Sequence, residues 1–303
     1  TYAGGSGTST LTFSYTVGAG QNSADLDYSS SAALVLNGAT IVDAGGANQP
    51  ADVTLATPGT AGSLGANKDL VIDSATPTNT VANATFSADT GTSGTDFITK
   101  TAAQTISGTL AANLAAGENV YVSLDNGGSW NLATASTGAN TWSLAGQTLS
   151  GSGTLKVRVT DAAGNNGTAY AQAYVLDTTA PTTSFSGIAL SADTGASSTD
   201  LITNTAAQTI SATLSGAPAA GDIVYGSLDN GATWTDITSK VSGTTLTWTG
   251  VTLVASDTLK LRVTDAAGND GAATGTAYVL DTSAPATSVA SIALSADSGA
   301  SST

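Results

Sequence analysis

The chain has no cysteine, no methionine and no histidine, and two of these absences exclude classes of site. Without cysteine there is neither a disulfide framework nor a thiolate metal centre. Without histidine the usual acid–base group is missing, and no G-x-S-x-G nucleophile motif occurs. Only seven Lys and Arg occur in 303 residues, so no basic patch could neutralise a phosphate backbone. The composition argues against an enzyme and against a nucleic-acid partner.

Long apolar runs are also missing, and none approaches the roughly 20 residues of a membrane-spanning helix. We therefore expect no membrane insertion of this segment. Its negative charge comes almost wholly from one residue type, with 21 Asp, one Glu (Glu118) and a net charge of −15. Asp is short, caps turns with its own side chain and is a common calcium ligand. The bias indicates acidic loops and favours a divalent cation.

An internal repeat organises the chain. Ser87–Leu110 reads SADTGTSGTDFITKTAAQTISGTL, and Ser191–Leu214 repeats it with few changes. Later landmarks recur at the same spacing of 104 residues, namely Trp130 and Trp234, and the linker prolines Pro77, Pro181 and Pro285. A period that survives across the whole unit indicates one folded module per period.

Each repeat is predicted to fold as a β-sandwich. Segments such as Asn119–Leu124 and Leu155–Thr160 alternate apolar and polar residues, with Leu155, Val157 and Val159 on the inner face and Lys156 and Arg158 on the outer face. About seven such strands in about 100 residues are typical of an immunoglobulin-like sandwich. We therefore predict an all-β chain of tandem immunoglobulin-like β-sandwich domains in a linear array.

The linkers VIDSATP, VLDTTAP and VLDTSAP predict the domain boundaries. Residues 1–72 form a partial sandwich of a related type, with an alternating strand at Thr10–Val17 and a hairpin turn at Asn37-Gly38. The repeats themselves follow at 73–179 and 180–283. Residues 284–303 begin a further repeat.

The aspartates near the predicted domain ends are the one candidate site. Stacking two sandwiches would bring Asp89, Asp96 and Asp125 of one repeat near Asp177, Asp222 and Asp265 of the next. So many carboxylates repel one another unless a cation neutralises them, and calcium accepts six to eight oxygens. The alternative is that each Asp simply caps a turn, because DNG, DTG and DAAG are good turn sequences. Single residues favour the turn reading, whereas the whole set favours calcium.

Trp130 and Trp234 have two possible roles. They are predicted to pack in the sandwich cores, with a sugar-stacking surface as the alternative.

The other two tryptophans do not match exactly in position. The residue 104 positions after Trp142 is Leu246, and Trp248 lies two residues further on. Because two residues along a strand return to the same face, the indole keeps its side of the sheet.

These motifs resemble the tandem immunoglobulin-like repeats of giant bacterial surface adhesins, of the biofilm-associated and calcium-stiffened type. The residues that carry the resemblance are SADTGxSxTDxIT, SLDNGxxW, the two LKxRVTDAAGN segments and the VLDTxAP linkers. The resemblance implies an extracellular cell-surface or biofilm-matrix role, with calcium stiffening the domain junctions. By position, the implied ligands are Asp73, Asp161 and Asn165 at one junction, and Asp177, Asp193, Asp200 and Asp265 around the next.

The sequence thus predicts a structural extender of a large adhesin or biofilm matrix protein, rather than an enzyme. Its expected partners are neighbouring repeats of the same polypeptide and other cell-surface or matrix molecules. Two alternatives stay open, a subunit of a self-assembling surface layer or filament, and a glycan-binding module.

Overall fold

The computed structural model describes residues 1–43 and 48–292 of the chain, and nearly all its regular structure is β-strand. Among these described residues no helix is long and apolar enough to cross a membrane. The chain divides into two compact units. The first comprises Thr1–Ser87 with Ala103–Tyr174, and the second comprises Ala88–Ala102 with the chain from Val175 onward.

Among residues 1–43 and 48–176, eleven strands are present. In chain order they are β1 (Tyr2–Gly4), β2 (Thr12–Phe13), β3 (Val81–Phe86), β4 (Ile98–Thr99), β5 (Ala103–Leu110), β6 (Asn119–Ser123), β7 (Asn131–Leu132), β8 (Thr134–Ala135), β9 (Thr141–Thr148), β10 (Gly153–Thr160) and β11 (Tyr170–Leu176). A four-residue helix, α1 (Leu64–Asn67), lies between β2 and β3.

Nine strands follow in residues 177–292. They are β12 (Phe185–Leu190), β13 (Ile202–Thr203), β14 (Ala207–Leu214), β15 (Ile223–Ser227), β16 (Thr235–Asp236), β17 (Val241–Ser242), β18 (Thr245–Thr252), β19 (Asp257–Thr264) and β20 (Thr274–Leu280). A single 3-10 turn, Thr238–Lys240, precedes β17.

In the first unit, strands β3, β5, β9 and β8 form one antiparallel sheet in that order. Strands β11, β10, β6 and β7 form another. The predicted alternation along β10 is confirmed, since Leu155, Val157 and Val159 are buried. Phe86 and Tyr174 meet edge to face at 5.6 Å, which places β3 and β11 on opposite sides of one core.

The second unit repeats this plan. Strands β12, β14, β18 and β17 form a four-stranded sheet, and β13, β20, β19, β15 and β16 form a five-stranded sheet. One hydrophobic cluster joins the two, with Ile210 and Leu246 from the first sheet and Val224 and Leu261 from the second. In the same unit β4 pairs in parallel with the end of β11, where Val175 lies opposite Ile98. The chain is therefore all-β and built from sandwich sheets, as predicted.

The two sandwich cores place their tryptophans differently. In the first unit Trp142 is buried opposite Gly108, where an added Cβ would lie 2.7 Å from the indole ring. In the second unit Trp248 is buried instead, and its ring lies 2.5 Å from a Cβ placed on Gly226. The residue that corresponds to Gly226 in the first unit is Val122. Each core therefore makes room for its indole with a glycine at a different place. Both rings are buried, and the prediction that they lie on the same face of the sheet is confirmed.

Residues 1–72 contain few strands. The predicted strand Thr10–Val17 is present only as β2, and its apolar side chains Leu11, Phe13, Tyr15 and Val17 are all exposed. The Asn37-Gly38 turn forms with both residues at positive φ, but no strand flanks it. The assignment of 1–72 as a partial sandwich stays a prediction. The same holds for the further repeat at 284–303, because residues 293–303 lie outside the described part of the chain.

Candidate functional site: the aspartate loops and the linkers

The loop after β10 ties the preceding linker to the first unit. The Asn165 backbone amide donates to Asp161 Oδ1 at 2.8 Å, and its side-chain Nδ2 donates to Asp161 Oδ2 at 2.9 Å. The same Nδ2 also donates to the backbone carbonyl of Asp73 at 3.0 Å. Burial alone would raise the pKa of Asp161, but hydrogen bonds from Asn165, Ala163 and Gly164 outweigh it and leave the pKa below its ordinary value. We call this arrangement the linker latch.

The second unit contains the same latch. Asn269 donates to both oxygens of Asp265, at 2.8 and 2.9 Å, and to the backbone carbonyl of Asp177 at 2.8 Å. Asp265 is almost fully buried. Asp265 and Asp177 are among the predicted ligands but Asn269 is not, although its spacing of 104 residues from Asn165 marks it as the equivalent residue.

In the turn after β6, both carboxylate oxygens of Asp125 accept hydrogen bonds from neighbouring residues of the chain. Asp125 accepts hydrogen bonds from the Ser129 amide at 2.9 Å, from the Ser129 hydroxyl at 2.6 Å and from the Ser123 hydroxyl at 2.7 Å. These bonds hold the pKa of Asp125 far below its usual range. Its unpredicted counterpart Asp229 is bound in the same way, and hydrogen bonds from Thr233 lower its pKa to about 2.

Two aspartates each accept a hydrogen bond from the amide of a residue with a strained backbone conformation. Asp89 Oδ2 accepts the amide of Phe97 at 2.9 Å, and Asp193 Oδ2 accepts the amide of Leu201 at 3.0 Å. Phe97 and Leu201 have φ values of 62° and 60°, which bulky residues rarely adopt. Burial raises the pKa of Asp89, against the hydrogen bond from Phe97 and reinforced by the neighbouring charge of Asp96. The other oxygen of Asp89 and of Asp193 is buried and has no hydrogen-bond partner among the described residues.

The other predicted residues also cap turns with one carboxylate oxygen. The pairs are Asp73 with the amide of Ala75, Asp96 with Ile98, Asp177 with Thr179, Asp200 with Ile202 and Asp222 with Ala219, all between 2.8 and 3.1 Å.

Within the second unit the loop 88–102 packs against the loop after β19. The Thr90 hydroxyl donates to the carbonyl of Ala267 at 2.7 Å, and Lys100 Nζ donates to the carbonyl of Gly268 at 2.5 Å. Gly91 has a φ of 99°, and any side chain there would collide with the carbonyl of Ala266. Backbone therefore meets backbone at this contact, which only a glycine permits.

Among residues 1–43 and 48–292, no three acidic side chains come together in a group that could hold a metal ion. The structure brings Asp161 together with Asn165 and the linker, and Asp265 together with Asn269 and the linker. Asp96 is near enough to Asp89 to raise its pKa. It supports the turn-capping role for each predicted aspartate individually. The described residues thus form no preformed calcium cage, and calcium binding stays a prediction.

The prediction that Trp130 and Trp234 pack in the cores is wrong. Both are half-buried on the outer side of the sandwich, where an arginine of the neighbouring strand covers the ring. The guanidinium of Arg158 lies 3.9 Å from the Trp130 ring centre, and that of Arg262 lies 4.2 Å from Trp234. The SLDNGxxW turn places the indole beside the outward-facing arginine of β10 or β19, a cross-strand relation that the local sequence does not reveal.

Comparison with known proteins supports the fold class. Residues 65–178 match the family model of a bacterial Ig-like domain. This stretch includes β3–β11 and the linker latch of the first unit. No curated protein matches the chain.

Several solved structures are similar at low identity. The FN1–FN3 domains of chicken CNTN1 are 12% identical over 70% of this chain and 70% of that chain, with a TM-score of 0.35. The BSP domain of a biofilm associated protein is 17% identical over 62% of this chain and 29% of that chain, with a TM-score of 0.21. A chimeric titin Z1Z2 is 12% identical over 66% of this chain and 98% of that chain, with a TM-score of 0.26. Scores below 0.5 do not establish a shared arrangement of whole chains.

Proposed function

We propose that this chain is a structural extender, a non-enzymatic series of sandwich modules that holds other parts of a bacterial surface or matrix protein at a distance. The linker latch carries the proposal. A linker backbone carbonyl is bound by an asparagine that is itself held by a buried or half-buried aspartate, once in each unit. Such a bond resists bending where a tandem protein would otherwise hinge.

Other observations support the same role. Each linker has a proline shortly after the latched carbonyl, which limits the conformations that the segment adopts. The backbone contact of Gly91 with Ala266 adds a rigid loop pair in the second unit. The family match over residues 65–178 is consistent with a bacterial surface protein, and we propose an extracellular location at the cell surface or in a secreted matrix.

Small-angle X-ray scattering tests the proposal. We expect the variant Asn165→Ala, Asn269→Ala to have a smaller maximum dimension and a broader distance distribution than the unchanged protein. The control is Asn131→Ala, because that side chain is exposed and makes no hydrogen bond among the described residues. A double variant with the scattering profile of the control would refute the role of the latch.

The calcium hypothesis is tested in the same measurement. We propose that a divalent cation adds to the stiffness, and the net charge of −15 and the unpartnered buried oxygens of Asp89 and Asp193 support this part. Scattering in excess calcium and in excess chelator should then differ in maximum dimension. Identical profiles would remove calcium from the proposal and leave the latch untouched.

A further inference from the structure

One surface of the first unit differs in charge from the rest of this acidic protein. The outer face of β6, β7 and β10 carries Lys156, Arg158, Tyr121 and the exposed Leu132, and these three strands contain no acidic residue. Trp130 lies beside them under the guanidinium of Arg158. We call this the Arg158 face. Tryptophan, tyrosine and arginine are the residues most often enriched where proteins bind partners.

The guanidinium of Arg158 is held in place but not neutralised. It stacks on Trp130 at 3.9 Å, which orients its plane. In the described part of the chain no carboxylate lies within ion-pair distance of it. The nearest acid along the chain, Asp161, accepts hydrogen bonds from Asn165 with both its oxygens, and Asp125 uses both of its oxygens in its own turn. A flat, oriented guanidinium with free N–H groups is a carboxylate receptor.

The second unit provides an internal comparison. Arg262 stacks on Trp234 in the same way, but it also binds Asp270 at 2.9 Å. The residue that corresponds to Asp270 in the first unit is Asn166. Asn166 accepts a hydrogen bond from the Thr160 hydroxyl, as Asp270 does from the Thr264 hydroxyl, but its amide carries no charge to pair with Arg158.

One further acid on this face of the second unit is replaced in the same way. Asp236 lies opposite Tyr225, as Arg262 does, and it corresponds to Leu132 in the first unit. The face of the second unit is thus neutralised by two carboxylates, those of Asp270 and Asp236, where the first unit has neither. The two repeats share most of their sequence but differ here in the charge of this face.

A second cation extends the Arg158 face. Lys156 is two residues before Arg158 on the same strand and points to the same side, so the two Cα atoms are about 7 Å apart. A Cβ on Gly127 would lie 3.7 Å from Lys156 Cδ and 3.5 Å from Trp130, so the lysine stem and the indole flank the same turn. The face therefore offers two cations in a row beside exposed apolar surface.

We propose that the Arg158 face binds a carboxylated polysaccharide, with Arg158 and Lys156 each holding a uronate carboxylate and Leu132 contacting the sugar ring. A polyphosphate is disfavoured, because a chain of net charge −15 repels a dense polyanion. A second copy of this chain is disfavoured for the same reason, because two chains of net charge −15 repel each other. A uronate polymer has fewer charges for its length than a polyphosphate and has apolar ring faces, so it is repelled less.

Calorimetric titration of the full chain with an oligogalacturonide tests this proposal, and the methyl ester of the same oligosaccharide is the neutral control. We expect one site, lost with the methyl ester and weakened by salt. Asn166→Asp should weaken binding about tenfold, because it recreates the ion pair of the second unit and so occupies Arg158. Asp270→Asn should add a second, weaker site on the second unit.

Asn166→Asp and Asp270→Asn each copy a residue from the equivalent repeat, so neither should disturb the fold. Equal binding of acid and ester, or no effect of Asn166→Asp, would overturn the proposal. Binding of poly-glutamate without binding of the oligogalacturonide would also overturn it and would indicate an acidic protein as the partner.

Discussion

The glycine opposite Trp248 allows a sharp test of how each sandwich core accommodates its indole. A Cβ at Gly226 would lie 2.5 and 2.8 Å from two ring carbons of Trp248 and 3.0 Å from Ile237 Cδ1. All three atoms belong to large buried side chains that pack among other buried residues. The variant Gly226→Val, which copies Val122 of the first unit, must therefore displace a buried ring.

The expected cost follows from close packing. Overpacking a well-packed core costs about 1–3 kcal/mol, and we expect the upper half of that range because three side-chain atoms are approached at once. Trp248→Leu, which copies Leu144 of the first unit, should cost about 2–3 kcal/mol by leaving a cavity. In the double variant the valine fills part of that cavity. The double variant should then lose about 1–2 kcal/mol less stability than the sum of the losses of the two single variants. The recovery is not complete, because the valine still approaches Ile237.

Hydrogen–deuterium exchange of the full chain is the assay, because the amides of β15 and β18 report the local free energy of opening in the second unit alone. Gly216→Val is the matched control, since a Cβ at Gly216 has no neighbour within 4 Å. Additive costs in the double variant would show that Gly226 and Trp248 do not share the space in question. A harmless Gly226→Val would refute the packing argument itself.

Three further predictions concern the loops. Asn269→Ala should speed amide exchange in the linker around Asp177 and leave exchange in β19 unchanged, because it removes only the latch; equal effects at both places would contradict this. The lowered pKa of Asp229, about 2 against 3.8, means that its ionised form is favoured in the folded state, so its contribution to stability is present above pH 4 and is lost as the pH falls towards 2. Acid unfolding of Asp229→Asn should lack that step, and an unchanged acid profile would contradict it. Gly91→Val should disrupt the contact with Ala266 and accelerate proteolysis of the loop 88–102. The control is Gly195→Val, because Gly195 also has a positive φ but an added Cβ there would have no neighbour within 4 Å. The control should not accelerate proteolysis of the loop 88–102.

Much of the fold could be predicted because its determinants are local. Alternation along Leu155–Thr160 requires only neighbouring residues, and the structure has a strand there with the predicted side inward. The turn sequence DNG requires left-handed backbone at Asn126 and Gly127, and both adopt it. The same strand order occurs twice in the structure, with equivalent strands 104 residues apart.

The alternating strand at Thr10–Val17 shows the limit of such patterns. Its apolar side chains alternate as well as those of β10, yet they are exposed and only Thr12–Phe13 pairs as a strand. A strand is stable only when another surface covers its apolar face, and alternation says nothing about that surface.

By itself the sequence determined the all-β class, the repeat and the turn positions, because backbone preference and side-chain period act between neighbours in the chain. The tertiary structure alone decided which side chains meet. It turned the Asp161–Asn165 pair towards a linker carbonyl 92 residues away, and it placed Trp130 outside the core beneath Arg158. It also brought Asp270 onto Arg262 and left Arg158 without a carboxylate partner among residues 1–43 and 48–292, because an ion pair depends on a distance in space that no local pattern encodes.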